Sequence, residues 1–136
     1  MIQIIAGLKG SGKTKRLIDM TNQAAREGAH DVIFIDDDNR YMFDIDHKAR
    51  FIVAQDYHIR TPEMFLGFLC GILSQNFDVG TIFVDAFTRL CKVPLEDSDW
   101  FFEALEEQGT KHNVNVVLSI SADTADLPDA LKKYVI

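Results

Sequence analysis

The chain is poor in the residues that staple, kink or anchor a fold. It carries 2 cysteines, 3 prolines and 1 tryptophan among 136 residues. Cys70 and Cys91 make no disulfide framework and have no metal-ligand spacing, which points to reduced thiols of a cytoplasmic protein. Long apolar runs are lacking as well. The longest uncharged stretch, Met64 to Phe77, is too short to span a bilayer and suits a buried helix. No basic stretch precedes the first apolar run, so no segment reads as a signal peptide. Basic residues are the minority: Lys and Arg number 14 against 21 Asp and Glu, a formal charge of −7. Such a surface repels phosphate polymers and anionic lipid. It argues against general nucleic-acid binding and leaves room only for a local basic site.

What remains is ordinary globular composition, 47% hydrophobic and 26% charged. The length suits a single domain over residues 1–136, large enough to bury a core without staples.

Ile2 to Ala6 reads as a buried strand, and Gly7 to Gly12 as a glycine-rich turn. Lys13 to Glu27 suits a helix, with Leu17, Ile18, Met20 and Ala24 spaced for one face and Gly28 placed as its left-handed cap. Val32 to Ile35 is a second apolar strand, halted by Asp36, Asp37, Asp38 and Asn39. Two segments, Tyr41–Ile45 and Phe51–Ala54, suggest a hairpin or an edge strand. Thr61-Pro62-Glu63 opens a helix to about Gln75 through a cap, a proline at the first position and an acid in the first turn. Thr81–Val84 is a third strand ending at Asp85. Ser98 is expected to cap a helix beginning at Asp99, Val114–Ser121 to form a fourth strand, and Leu127-Pro128 to lead into a short helix before a terminal strand at Tyr134–Ile136. Strands and helices that alternate, with near-continuous apolar strands, predict an α/β fold: a mostly parallel sheet with helices on both faces.

One motif governs the chemistry. Gly7-Leu8-Lys9-Gly10-Ser11-Gly12-Lys13-Thr14 matches G-x-x-x-x-G-K-[ST], the Walker A phosphate-binding loop, and Lys15 follows it. Glycines let the backbone curl so that its N–H groups surround phosphates, and the next helix offers its N-terminal amides to the same anion. Lys13 supplies a point charge for the β and γ phosphates, and the Thr14 hydroxyl is a hard ligand for magnesium. A chance match in a chain this long has a probability of about half a percent. Thr81 to Asp85 looks like a Walker B strand, whose acid would hold a magnesium-bound water opposite Thr14.

On these residues the chain resembles a P-loop NTPase. More narrowly, it is similar to a group of short bacterial P-loop proteins sometimes labelled twitching-motility ATPase-like. That likeness covers most of the chain, including Thr81–Asp85 and Ser119–Asp123. It implies the fold and ATP binding, and no settled function; ATP or ADP with magnesium is the ligand set that the loop residues lead one to expect. Pilus-retraction ATPases are much longer and carry acidic and histidine-containing motifs that this chain lacks.

Many P-loop ATPases place a glutamate directly after the Walker B acid; here Ala86 and Phe87 follow Asp85. Asp36, Glu63 and Asp123 are the candidates left for activating water, with the absence of any such acid as the alternative. Asp36 sits at a strand end, where ligands bind in open α/β sheets, in a loop that otherwise reads as a solvated acidic turn. Ser119 and Ser121 share a strand face and stand as sensor candidates. Arg60 and Arg89 are candidates for transition-state charge. Thr110-Lys111-His112-Asn113 only partly matches the guanine-reading motif, which leaves ATP by elimination. The helix from Pro62 to Gln75 is apolar on nearly every face, so it must be covered all round, either within the fold or by a second copy or protein partner. Three readings stay open: a slow magnesium-dependent ATPase, a small-molecule phosphotransferase, and a nucleotide-dependent binding module without useful catalysis.

Overall fold

Short apolar runs between turn residues form five strands: β1 (Ile2–Gly7), β2 (Asp31–Asp36), β3 (Ala49–Val53), β4 (Val79–Val84) and β5 (Asn115–Ser121). The helices are α1 (Lys13–Glu27), α2 (Pro62–Gln75), α3 (Phe87–Leu90), α4 (Asp99–His112) and α5 (Asp129–Lys132). The computed structural model describes all residues, Met1–Ile136. The strands pair into one all-parallel sheet in the order β1-β5-β4-β2-β3.

Parallel neighbours require crossovers, and the helices that make them cover both faces. Alternation along β2 shows the division: Ile33 and Ile35 join one core, Val32 and Phe34 the other. The first core gathers 24 buried residues beneath α2, α4 and α5, with Phe65 stacked on Phe101 at 6.1 Å. The second has 9 and lies beneath α1 alone, so α1 is the sole helical cover of that face. No helix is long and apolar enough to cross a membrane.

Because every strand runs the same way, Gly7, Asp36, Val84 and Ser121 all finish at one edge. The chain leaves β1, passes β5 and β4, and enters β2. It then turns outward to β3 and comes back to β4 and β5; such a change of direction, here between β2 and β4, is where α/β sheets open a crevice.

Several expectations are corrected. Tyr41–Ile45 is no strand; Met42–Asp44 forms a single 3₁₀ turn. Of the two alternatives, hairpin or edge strand, the edge strand forms: it is β3, parallel to β2. The cause is a clamp from α1: the Asn22 amide donates to the Asp44 carbonyl at 2.9 Å and accepts from the Asp46 N–H at 2.8 Å. Ser98 precedes α4 but does not cap it; its hydroxyl donates backward to the Leu95 carbonyl at 2.6 Å. The four-residue α3 was not expected. Thr61 does cap α2, accepting from the Met64 N–H at 3.1 Å. However, α2 is not covered all round: Met64 is 50% exposed, and nothing approaches Gly67 or Gly71. At the terminus the expected strand is reduced to one bridge between Ile4 and Val135: Ile4 donates to Tyr134 at 2.8 Å and accepts from Ile136 at 3.0 Å on the free side of β1.

Candidate functional site

The turn from Gly7 to Gly12 joins β1 to α1. Gly10 and Gly12 have φ of +84° and +85°, a left-handed backbone that glycine adopts without a Cβ penalty. A Cβ on Gly7 would meet the Ser11 side chain, so a larger residue there would have to displace the Ser11 hydroxyl from its place in the turn. The Leu8 carbonyl accepts from the Ser11 N–H at 3.1 Å and from Lys13 Nζ at 3.2 Å. Gly12 brings no side chain to cap α1, which leaves the first-turn amides and the positive end of a 15-residue helix for a ligand.

A cavity of about 470 Å³ opens beside this loop. Five cations line it: Lys9, Lys13, Lys15, Arg40 and Arg89, against one acid, Asp85. In a chain of net charge −7 that concentration selects for a multiply charged anion. Tyr41 lines the same wall, with the Arg40 guanidinium 5.9 Å from its ring centre.

Asp85 follows the last residue of β4 and is buried. The Thr14 hydroxyl, from the first turn of α1, lies 3.3 and 3.2 Å from its two oxygens. The Ser119 hydroxyl donates to Oδ1 at 2.6 Å and itself accepts from the Ala86 N–H at 2.7 Å. That bond helps hold Ala86 at φ +53°, an uncommon conformation for a residue with a side chain. With its proton turned toward Asp85, the Thr14 hydroxyl keeps lone pairs for a cation. The donor set, one hydroxyl and one carboxylate, fits magnesium in chemistry. No cluster of three or more His, Cys, Asp or Glu forms a metal cage, so a cation here needs further oxygens from a bound anion or water.

Asp36 ends the neighbouring strand β2 and is fully buried. Its Oδ1 accepts from the Asp37 N–H at 2.7 Å and lies 3.4 Å from Arg89 Nη2, while Oδ2 has no partner. Burial above all, then the charge of Asp85, pushes its carboxyl up to about 7. Arg89 Nε also meets Asp37 at 3.4 Å.

Of the residues singled out from the sequence, Lys9, Gly10, Gly12, Lys13, Thr14, Lys15, Asp85, Arg89, Ser119 and Ser121 line the one cavity. Gly7, Leu8 and Ser11 shape the turn without lining it. Neither Asp36 nor Asp123 lines it: Asp36 is fully buried, and the Asp123 carboxylate accepts from the Ala125 N–H at 3.0 Å in an exposed turn. Arg60 lines a separate hollow. Glu63 is exposed in the first turn of α2 and helps raise the buried Cys91 thiol, which burial pushes up to about 12; such a thiol is unreactive. Thr110–Asn113 lies where α4 ends before β5 begins, at the opposite edge of the sheet. Arg40 and Tyr41 were missed. Their one sequence signal is position, directly after the acidic loop that ends β2. No protein-family model matches the chain, and no curated protein matches it.

Proposed function

We propose that the chain binds ATP with magnesium through the Gly7–Thr14 loop and hydrolyses it slowly. The pairing of Thr14 with Asp85, residues 71 apart in sequence, inside a cation-lined cleft carries this reading. It supports the resemblance to P-loop NTPases, in which loop amides and Lys13 hold the phosphates while Thr14 and Asp85 serve the metal. Magnesium, when bound, neutralises charge on the phosphates. The water oxygen closes on the terminal phosphorus as the bond from that phosphorus to the β-phosphate oxygen breaks and ADP leaves; the water's proton passes to Asp36 through an intervening water, because Asp36 does not itself line the cleft. Ala86, where many such enzymes carry glutamate, fits low turnover.

Titration calorimetry with ADP, ATP and GTP, each with magnesium, tests the assignment. ATP and ADP are expected to bind, and GTP more weakly. Lys13→Ala removes a charge-assisted contact worth about 1.5–3 kcal/mol, so ATP affinity falls roughly 10- to 100-fold with an unchanged circular dichroism spectrum. Equal affinity in the variant would remove the phosphate-loop assignment.

Two observations favour further readings. The buried, under-bonded Asp36 suits a hydroxyl acceptor as well as water, which makes a phosphotransferase the alternative; an acceptor that raises ADP production would distinguish it. The open face of α2 at Gly67 and Gly71 suits a nucleotide-dependent binding module, which predicts sedimentation that changes with ATP.

A further inference from the structure

A second hollow, of about 380 Å³, lies on the far side of Arg89. One wall is the segment Gln55–Arg60 between β3 and α2; the other is Arg89–Lys92 at the end of α3. The first wall is a closed turn. His58 stands at φ +59° and its N–H donates to Gln55, while the Ile59 N–H donates to Ala54.

Arg60, Arg89 and Lys92 bring three positive charges to the hollow, and His58 adds a titratable ring. Asp37 is the single acid, and Arg89 already meets it at 3.4 Å. Neither Arg60 nor Lys92 takes part in any ion pair of the chain. Two unspent cations and a half-committed guanidinium thus face one small space in a chain of net charge −7. Guanidinium groups bind phosphate oxygens in pairs, which favours phosphate over a simple halide. The volume falls at the small end of ligand sites, and the acidic surface outside it repels a polyanion.

We infer that this hollow is a binding site for the phosphate group of a small molecule, separate from the nucleotide loop and coupled to it through Arg89. Arg89 lines both cavities, so an anion in the hollow competes with Asp36 and Asp37 for one guanidinium. The site itself stands without the nucleotide reading; the coupling rests on it.

Amide shift mapping with inorganic phosphate, against chloride at matched ionic strength, tests the inference. Saturable shifts are expected over residues 55–60 and 89–92 in the wild type and in Lys13→Ala. The double variant Arg60→Gln/Lys92→Gln should bind phosphate there about tenfold more weakly, about 1.4 kcal/mol, with ATP affinity unchanged. Shifts confined to residues 7–15, equal shifts with chloride, or undiminished binding in the double variant would overturn it. Phosphate in the hollow without ATP at the loop would overturn the nucleotide reading instead.

Discussion

Strands β2 and β4 lie side by side, and each leads to a buried aspartate at the same edge of the sheet. Their surroundings diverge. Asp85 receives hydroxyls from Thr14 and Ser119, contributed by α1 and β5. Asp36 receives one backbone N–H, a stretched contact from Arg89, and nothing on Oδ2. A carboxylate held by one short hydroxyl bond from Ser119, with a second hydroxyl facing it from Thr14, is oriented as a fixed anion. One that is buried and under-bonded exchanges its proton near neutrality, at about 7 for Asp36. Identical side chains, one strand apart, are thus given different surroundings by their donors, and the proposed function gives them different work.

The largest expected effect breaks this division directly. Asp36→Asn keeps size and removes the proton acceptor. Turnover should fall about 10²- to 10⁴-fold, the usual contribution of a general base, while ATP affinity measured by calorimetry stays within about twofold. Asp85→Asn should act on the other quantity, abolishing the magnesium dependence of nucleotide affinity. Swapped phenotypes would reverse the assignment of the two acids.

The next effect is on stability. Asp36 holds its proton to about 7 in the fold, against 3.8 as its ordinary value. Between those values the folded chain binds more protons than the unfolded one. This acid therefore makes stability fall as pH rises from about 4 to about 7, and its cost is constant above that. The cost is of the order of a few kcal/mol. Urea unfolding at pH 5 and pH 8 should show a larger loss in the wild type than in Asp36→Asn. Parallel losses would mean that the buried carboxyl is not the source.

Half of this comparison was legible in the sequence. Thr81–Asp85 is an apolar run closed by an acid, and Gly7–Thr14 has fixed spacing, so the facing of Thr14 and Asp85, 3.2 Å apart in the structure, is an expectation the sequence alone supports. Asp36 was weighed as a solvated turn because three acids in a row ordinarily face water. Its burial comes from flanking strands β3 and β4, which are set by pairing and not by local composition. The same limit hid the course of residues 41–54. Five residues of β3 are too few to separate a parallel edge from a hairpin, and the Asn22 clamp that decides it acts from α1. The four residues of α3 have no period to read, yet they carry Arg89.

A smaller effect sharpens the comparison by making Asp85 more like Asp36. Ser119→Ala deletes the donor to Asp85 and the acceptor of the Ala86 N–H, two bonds of 2.6 and 2.7 Å. Leaving buried polar groups unpaired costs about 1–3 kcal/mol, which should appear as a lower denaturation midpoint at an unchanged slope. An unchanged midpoint would show that water or Thr14 replaces the serine at no cost.

The smallest effect concerns Arg89, which lies near both Asp36 and the phosphate cleft. Hydrolysis that needs a deprotonated Asp36 should rise through about pH 7. The Arg89 charge holds that carboxyl down against burial and Asp85, so Arg89→Gln should move the rise to higher pH. The displacement is modest because burial, the leading cause, is untouched. The plateau above the rise then separates two roles. A displaced rise with the same plateau means that Arg89 only tunes Asp36. A lowered plateau with unchanged KM means that the guanidinium also meets charge developing on the transferred phosphoryl group. A profile that does not move removes Arg89 from the pair, and the contrast between the two acids would then rest on burial alone.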